Sequence, residues 1–266
     1  MGKKFSIITI SYNSESSIER TIKSVLSQSY KNYEYIVVDG GSIDKTIDII
    51  KQYEPLFEGR MKWVSEPDKG IYNAMNKGVS RSDGDIIGIV NSDDWLEEES
   101  LQKIINVTET INDISNCIIC GSLRFHYENG VKQVFISNRK RFEDGMKKHS
   151  FNHGAYHPSM FVGKNVYKSV GLFDENFKIA ADIDFVVRCY QSGIKFYFTE
   201  EVLNNMSDGG TSNSLNLKKV IADKKYDYHK RGISPIKANY DICLFCMKLI
   251  VKKFTPFSLI LKYRKK

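Results

Sequence analysis

Four short polar clusters each follow an apolar run. Ser11-Tyr12-Asn13 follows FSIITI, and Asp39-Gly40-Gly41-Ser42 follows YEYIVV. Glu66-Pro67-Asp68-Lys69-Gly70 follows MKWVS, and Asn91-Ser92-Asp93-Asp94 follows DIIGIV. The last cluster poses an electrostatic problem, because two adjacent carboxylates repel and no basic residue sits beside them. A hard divalent cation, Mg²⁺ or Mn²⁺, resolves it, since such ions take oxygen ligands from one or two carboxylates and from substrate phosphates. The competing reading is local: Asp93 or Asp94 caps a helix beginning near Leu96. Asp39 can accept a hydrogen bond from a flat heterocycle, and its two glycines permit close approach; an Asp-Gly turn is the plainer alternative. Lys69 precedes a helical stretch, a favourable place for phosphate, or is a solvated lysine. Asp182 and Asp184 open a later helix, where a carboxylate can act as general base or as an N-cap. Arg188, one turn on, can pair with Asp184.

The elements that must position these residues alternate. FSIITIS (5–11), YEYIVVD (33–39), MKWVS (61–65), DIIGIVN (85–91) and NCIICGSLRF read as short buried strands. Between them, Ser16 and Glu19 form a capping-box pattern ahead of Ile18, Ile22, Val25 and Leu26 at helical spacing. Residues 46–53, 71–80 and 96–111 also read as helices. Such alternation predicts an α/β fold with a Rossmann-like, mainly parallel sheet flanked by helices. Ligands of such sheets bind at the carboxyl ends of the strands, so all four clusters are expected on one edge. That convergence favours the metal over the cap. Downstream, HYENGVKQVFI reads as a hairpin about Glu128-Asn129-Gly130. Residues 137–160 read as a polar stretch carrying His149, His153 and His157. Residues 165–170, 183–191 and 215–230 are expected helices, and 194–198 a strand.

The 266 residues are 41% hydrophobic and 27% charged, an ordinary globular composition with net charge +7. Seven basic residues and no acids lie from Lys248 to Lys266, which leaves the rest near neutral. Large apolar residues interleave with them. We expect a main domain over 1–210 and a C-terminal helical, basic extension over 211–266, which either associates with an anionic membrane surface or packs on the body. No basic stripe elsewhere suggests nucleic acid. Cys117/Cys120 and Cys243/Cys246 have C-x-x-C spacing but lie in apolar runs, so buried thiols are expected rather than zinc. The N-terminal apolar run is too short for a signal peptide, and no stretch is apolar enough to span a membrane.

Taken in order, ITISYNSE, VVDGGSIDKT, EPDKGIYNAMNKGV, VNSDDW and AADIDFVVR resemble the family 2 inverting glycosyltransferases of GT-A fold, of the bacterial polysaccharide and O-antigen type. The resemblance implies a UDP-sugar donor, a divalent metal (Mn²⁺ or Mg²⁺) and direct displacement with inversion. It places Ser11, Tyr12 and Asn13 near the nucleoside, Asp39 on the uracil edge, and Asp68 and Lys69 along the nucleotide and pyrophosphate. VNSDDW stands for the family's D-x-D segment, with Asn91 where the first acid usually is. The metal then rests on Asp93, while Asn91, Ser92 and Asp94 line the nucleotide-sugar site. AADIDF stands for the segment that carries the catalytic base. Asp182 takes that role, Ala181 replaces a Glu, and Asp184 is the fallback. His153 and His157 are either acceptor-facing or turn-stabilising. With the basic tail, the resemblance implies a saccharide acceptor on a lipid carrier such as undecaprenyl diphosphate, and a cytoplasmic, peripheral location at the inner face of the cell membrane.

Rival functions lack their signals. A nucleotidyltransferase would need a Gly-rich basic loop where SYNSESS stands, and a dehydrogenase a G-x-G-x-x-G after the first strand. A degenerate sugar-nucleotide-binding module is suggested by Asn91 and opposed by Asp93, Asp94 and Asp182.

Overall fold

The computed structural model describes residues 2–147, 154–208 and 217–254. Strands and helices alternate through the first third: β1 (Phe5–Ser11), α1 (Ile18–Leu26), β2 (Tyr33–Asp39), α2 (Thr46–Tyr53), β3 (Met61–Ser65), α3 (Ile71–Ser80) and β4 (Ile86–Ile89). Every residue of β1 and β2 is buried, as expected of parallel strands covered on both faces. Their polar members pair across the sheet: Ser6 donates to Glu34 at 2.6 Å and Tyr35 donates to Thr9 at 2.9 Å. On α1, Ile18, Thr21, Ile22 and Val25 form the buried face. The helix is capped by Ser17 without a side-chain hydrogen bond, so the capping box expected from Ser16 and Glu19 does not form. Glu19 instead pairs with Lys23 and accepts from Tyr53.

The chain continues through β5 (Trp95–Leu96), α4 (Ser100–Thr108), β6 (Cys117–His126), β7 (Lys132–Phe135), α5 (Arg139–Lys147), β8 (Met160–Gly163), α6 (Lys164–Val170), α7 (Ala181–Gln191) and β9 (Lys195–Ser207). The strands form one sheet in the order β3-β2-β1-β4-β8-β6-β9-β5, with β7 paired to β6. From β3 to β4 all neighbours are parallel. Beyond β4 the sheet is mixed: β8 runs antiparallel to β4 and β6, while β6 and β9 are parallel. The mainly parallel α/β expectation holds, with three differences of detail. The helix expected from residue 96 starts at Ser100, because Trp95 and Leu96 pair with Asn205 and Asn204 of β9. The stretch 137–160 contains α5 and leads into β8, whose four residues are too few to show a period. The strand expected at 194–198 extends to Ser207 through a register shift in its pairing with β6.

The chain divides into two compact units, Met1–Asn176 with Ala181–Ser214, and Phe177–Ala180 with Leu215–Lys266. The second contains α8 (Leu217–Lys230) and α9 (Pro235–Phe254). Asp223 of α8 accepts from the backbone N–H groups of Lys178 and Ile179 at 2.8 and 2.7 Å, and Phe177 packs edge-on to Tyr226. Cys117 and Cys120 are buried in β6, whereas Cys243 on α9 is exposed, contrary to expectation.

Two substitutions test this architecture. A Cβ on Gly163 would collide with the backbone carbonyls of Ile114 and Ser115, and backbone cannot rotate away. Gly163→Ala is expected to lower unfolding free energy by about 1–3 kcal/mol in urea titration. Glu34 is buried, which alone would raise its pKa. Hydrogen bonds from Ser6, the Asp83 N–H and Lys62, with the charge of Lys4, outweigh that and hold it at about 2. Its ionised form therefore stabilises the fold above pH 4.5, and this contribution fades as pH falls toward 2. Between pH 7 and pH 3, the wild type is expected to lose about 2 kcal/mol more stability than Glu34→Gln.

Candidate active site

Parallel register brings the ends of β1, β2 and β3 into line, with Ser11 opposite Asp39 and Asp39 opposite Ser65. Asp39 is fully buried and is solvated by the protein itself. One oxygen accepts from Ser11 at 3.0 Å and from the Ser42 hydroxyl at 2.5 Å. The other accepts from the Gly41 and Ser42 N–H groups at 3.0 and 2.8 Å, and from Ser65 at 2.7 Å. A carboxylate offers about four lone-pair sites, so an incoming donor must replace one of these. The following loop is tight. A Cβ on Gly40 would lie 2.5 Å from the Asp68 carboxylate and 3.3 Å from the Tyr12 ring, and Gly41 has φ +83°. Glycine meets both demands. Tyr12, 62% exposed, therefore lies beside Gly40 and Asp68 at the open edge.

Asn13 turns the chain at φ 48°. Its backbone N–H donates to the Ser42 hydroxyl at 2.8 Å, and its side-chain Oδ1 accepts from the Ile43 N–H at 3.0 Å. Ser14 and Ser92 hydroxyls are 2.8 Å apart, linking the loop after β1 to the acid cluster after β4. Asp68 accepts from the Gly70 N–H at 2.8 Å, which shapes the loop that presents exposed Lys69 just before α3.

Asp93 and Asp94 do not cap a helix, since α4 begins at Ser100. They lie on a turn closed by the Asp94 N–H to the Asn91 carbonyl at 3.0 Å. Thr21 of α1 donates to the Asp94 carbonyl at 2.6 Å, while Arg20 and Ser207 donate to the Asp93 carbonyl at 2.7 and 2.8 Å. The Arg20 guanidinium also stacks 3.8 Å over Trp95. Burial raises the pKa of Asp93, with the Arg20 charge opposing. Burial, and then the charge of Asp93, push Asp94 well above the carboxylate range. Two buried oxygens here, Asn91 Oδ1 and Asp94 Oδ1, have no hydrogen-bond partner. With the half-buried Asp93 carboxylate, they form an all-oxygen donor set that fits a hard divalent cation. Among the described residues no group of three His, Cys, Asp or Glu could hold a metal.

Asp182 and Asp184 separate clearly. Asp184, 5% exposed, is bound by Arg188 at 2.7 Å, and Arg188 also donates to the carbonyls of Val170 and Leu172. Asp184 is thereby committed to structure. Asp182, within the first turn of α7, is half-buried and accepts from Tyr72 at 3.4 Å. Since Tyr72 lies in the first turn of α3, directly after the Asp68–Gly70 loop, Asp182 faces the same edge as that loop. The buried ring of Phe173 organises this corner by packing on Tyr72, His157, Tyr167 and Phe185. Asn76 fixes the Phe173 backbone by donating to its carbonyl and accepting from its N–H. Burial lowers the pKa of His157, while the negative charge of Asp182 opposes this. His149 and His153 lie outside the described residues. Arg20, Thr21, Tyr72, Asn76, Phe173 and Ser207 had no sequence signal, because each meets its partner across 70 or more residues of chain.

Comparison with known proteins assigns this architecture. The family model for glycosyl transferase family 2 matches residues 6–170. An uncharacterized glycosyltransferase of Mycobacterium tuberculosis is 32% identical over 187 residues, 69% of this chain and 67% of that protein. A PGL/p-HBAD biosynthesis glycosyltransferase of Mycobacterium bovis is 26% identical over 217 residues, 79% of this chain and 80% of that protein. The 1–349 fragment of S. aureus TarS, in complex with UDP-GlcNAc, has a TM-score of 0.62 at 18% identity, covering 83% of this chain and 65% of that one. The mannosyltransferase PcManGT from Pyrobaculum calidifontis, in complex with GDP-Man and Mn²⁺, has a TM-score of 0.62 at 14% identity, covering 86% of this chain and 65% of that one. The match spans 38% of the longer TarS chain. These structures share the GT-A fold, and this chain, a glycosyltransferase, belongs to glycosyl transferase family 2.

Proposed function

We propose that this protein transfers a sugar from a UDP-sugar to a hydroxyl of a saccharide acceptor, with inversion at the anomeric carbon. The observation that carries the reading is the pair of partnerless buried oxygens, Asn91 Oδ1 and Asp94 Oδ1, beside Asp93 at the carboxyl edge of the sheet. Such a set would hold a hard divalent cation together with the oxygens of a diphosphate. The neighbours crystallised with UDP-GlcNAc, and with GDP-Man and Mn²⁺, support a nucleotide-sugar donor and a divalent ion.

In this reading Asp39 receives the base N–H in place of one of its hydroxyl donors, with Tyr12 and Asn13 along the nucleoside. Asp68 and Lys69 line the nucleotide and its pyrophosphate, with Lys69 contributing positive charge ahead of α3. Asp93 holds Mn²⁺ or Mg²⁺, assisted by the Asn91 and Asp94 oxygens; when bound, the ion neutralises the charge that develops on the departing diphosphate. Asp182 accepts the proton of the acceptor hydroxyl as that oxygen attacks C1 from the face opposite the nucleotide. The bond from C1 to the diphosphate oxygen breaks, and the nucleoside diphosphate leaves. Tyr72 orients the carboxylate. Asp184 is paired with Arg188, which favours Asp182 for this task. The basic C-terminal extension suits a peripheral enzyme at the inner membrane face, acting on a saccharide carried by an anionic lipid diphosphate in cell-surface polysaccharide assembly. No described helix is long and apolar enough to cross a membrane.

UDP release from a panel of UDP-sugars, with GDP-mannose as the contrast and a membrane extract as acceptor source, tests the reading. Release from one UDP-sugar in the presence of Mn²⁺ supports it, and release from GDP-mannose alone overturns the donor assignment. Asp182→Asn is expected to cut turnover 10²- to 10⁴-fold with UDP affinity unchanged, whereas Asp184→Asn should lower thermal stability. Full turnover by Asp182→Asn would assign the base elsewhere. Asn91→Asp adds the second acid of the metal motif and is expected to tighten Mn²⁺ binding about tenfold in calorimetric titration with UDP present.

A further inference from the structure

Helix α9 carries two apolar faces, and its own unit uses only one. Ala238 and Ile242, one turn apart, are each 7% exposed, and Lys224 of α8 lies 4.5 Å over the Phe245 ring. These residues define the face turned toward α8. On the other side Ile236, Tyr240 and Leu244, spaced by four, are 85, 65 and 37% exposed, with Cys243 also exposed among them. At about 100° per residue these four fall within one narrow arc. In the sequence the same spacing continues through Met247, Ile250, Val251 and Phe254. An ordinary surface helix has one apolar stripe; a second, solvent-facing one calls for a partner.

Charge identifies that partner. Lys237 borders the exposed stripe by helical spacing. The one acid of α9, Asp241, hydrogen-bonds Tyr228 of α8. From Lys248 to Lys266 there are seven basic residues and no acids. A second copy of the chain would bring the same positive charges against these. A bilayer of anionic lipids offers both a negative surface and an apolar layer beneath it. No described helix qualifies as a membrane span, and an amphipathic helix meets such a surface lying in its plane. We propose that α9 is an in-plane anchor for anionic lipid, with Ile236, Tyr240 and Leu244 entering the headgroup–acyl boundary and the C-terminal lysines meeting the headgroups. The inference deepens the peripheral-membrane part of the proposed function and rests on it for its place in the cell, but not on the transfer chemistry.

Co-sedimentation of the full-length protein with vesicles tests it. The protein is expected to bind vesicles of phosphatidylcholine with about one-third phosphatidylglycerol at least tenfold more tightly than phosphatidylcholine alone, and to dissociate at high salt. The triple variant Ile236→Glu/Tyr240→Glu/Leu244→Glu should bind at least tenfold more weakly, with circular dichroism and UDP affinity unchanged. Lys248→Glu/Lys252→Glu, which leaves the stripe intact, should lose the preference for phosphatidylglycerol. Wild-type vesicle binding by the triple variant, or no binding by the wild type, overturns the proposal. So does a shift of the triple variant from dimer to monomer in light scattering with vesicle binding intact, which would make the stripe a self-association face. Loss of UDP binding by the wild type, with vesicle binding intact, would instead refute the transferase site and leave the anchor standing.

Discussion

The strand-end edge depends on one buried charge. Asp39 lies at the end of the middle strand of three, where no water reaches it, and an unpaired carboxylate there would be prohibitively costly. The cost is offset by five donors, drawn from the end of β1, the end of β3 and the loop after β2. Each donor is held in place because it serves the charge. The same contacts therefore set the relative height of three strands and the path of residues 40–42. Gly40 and Gly41 follow as consequences, one for lack of space and the other for its backbone angle. Tyr12 and Asp68 come to lie on either side of Gly40. The open edge of the sheet is thus organised by an interaction that is itself out of sight.

The second charged centre is organised in the opposite way. The backbone carbonyls of Asp93 and Asp94 accept from Arg20, Thr21 and Ser207, and Asp94 Oδ2 accepts from the Asn91 amide. The main chain of the turn is held in place while Asn91 Oδ1 and Asp94 Oδ1 stay without partners. Behind Trp95, a polar chain runs from His126 to Asn205, Glu97 and Arg124, and braces the turn against β6 and β9. Burial and mutual repulsion make the acids poor anions by themselves, with Arg20 opposing that. A polar turn with a rigid backbone and unsatisfied oxygens is preorganised for a positive ligand.

The third centre shows how two carboxylates in one helical turn acquire different work. Asp184 faces Arg188 on the same helix, and Arg188 ties the pair to the carbonyls of Val170 and Leu172. Asp182, two residues earlier, points toward α3 and the aromatic corner about Phe173. The helix is anchored by the first and presents the second, so its anchor and its half-buried acid cannot exchange roles without turning α7.

Much of this was legible without coordinates. Apolar, β-branched runs separated by helical periods specify a parallel α/β sheet, because strands covered on both faces are buried at every position rather than at alternate ones. The topology of such a sheet then places the four polar clusters on one edge. The resemblance singled out Asp182 over Asp184 and noted Asn91 in the metal motif. What local pattern left open was settled by partners far along the chain. Leu96 reads as helical in isolation, yet it becomes strand because β9 lies beside it. Asp93 and Asp94 leave a cap reading open beside the favoured ligand reading until α4 starts at Ser100. β8 is four residues long, too short for any period, and exists because β4 and β6 both need a neighbour. The five donors to Asp39 come from three strand ends, and the support of Asp93 from residues 20 and 207. Sequence determines periodicity and residue chemistry, which are local. Which uncommitted oxygen meets which donor depends on the packing of distant segments, and only the tertiary structure decides that.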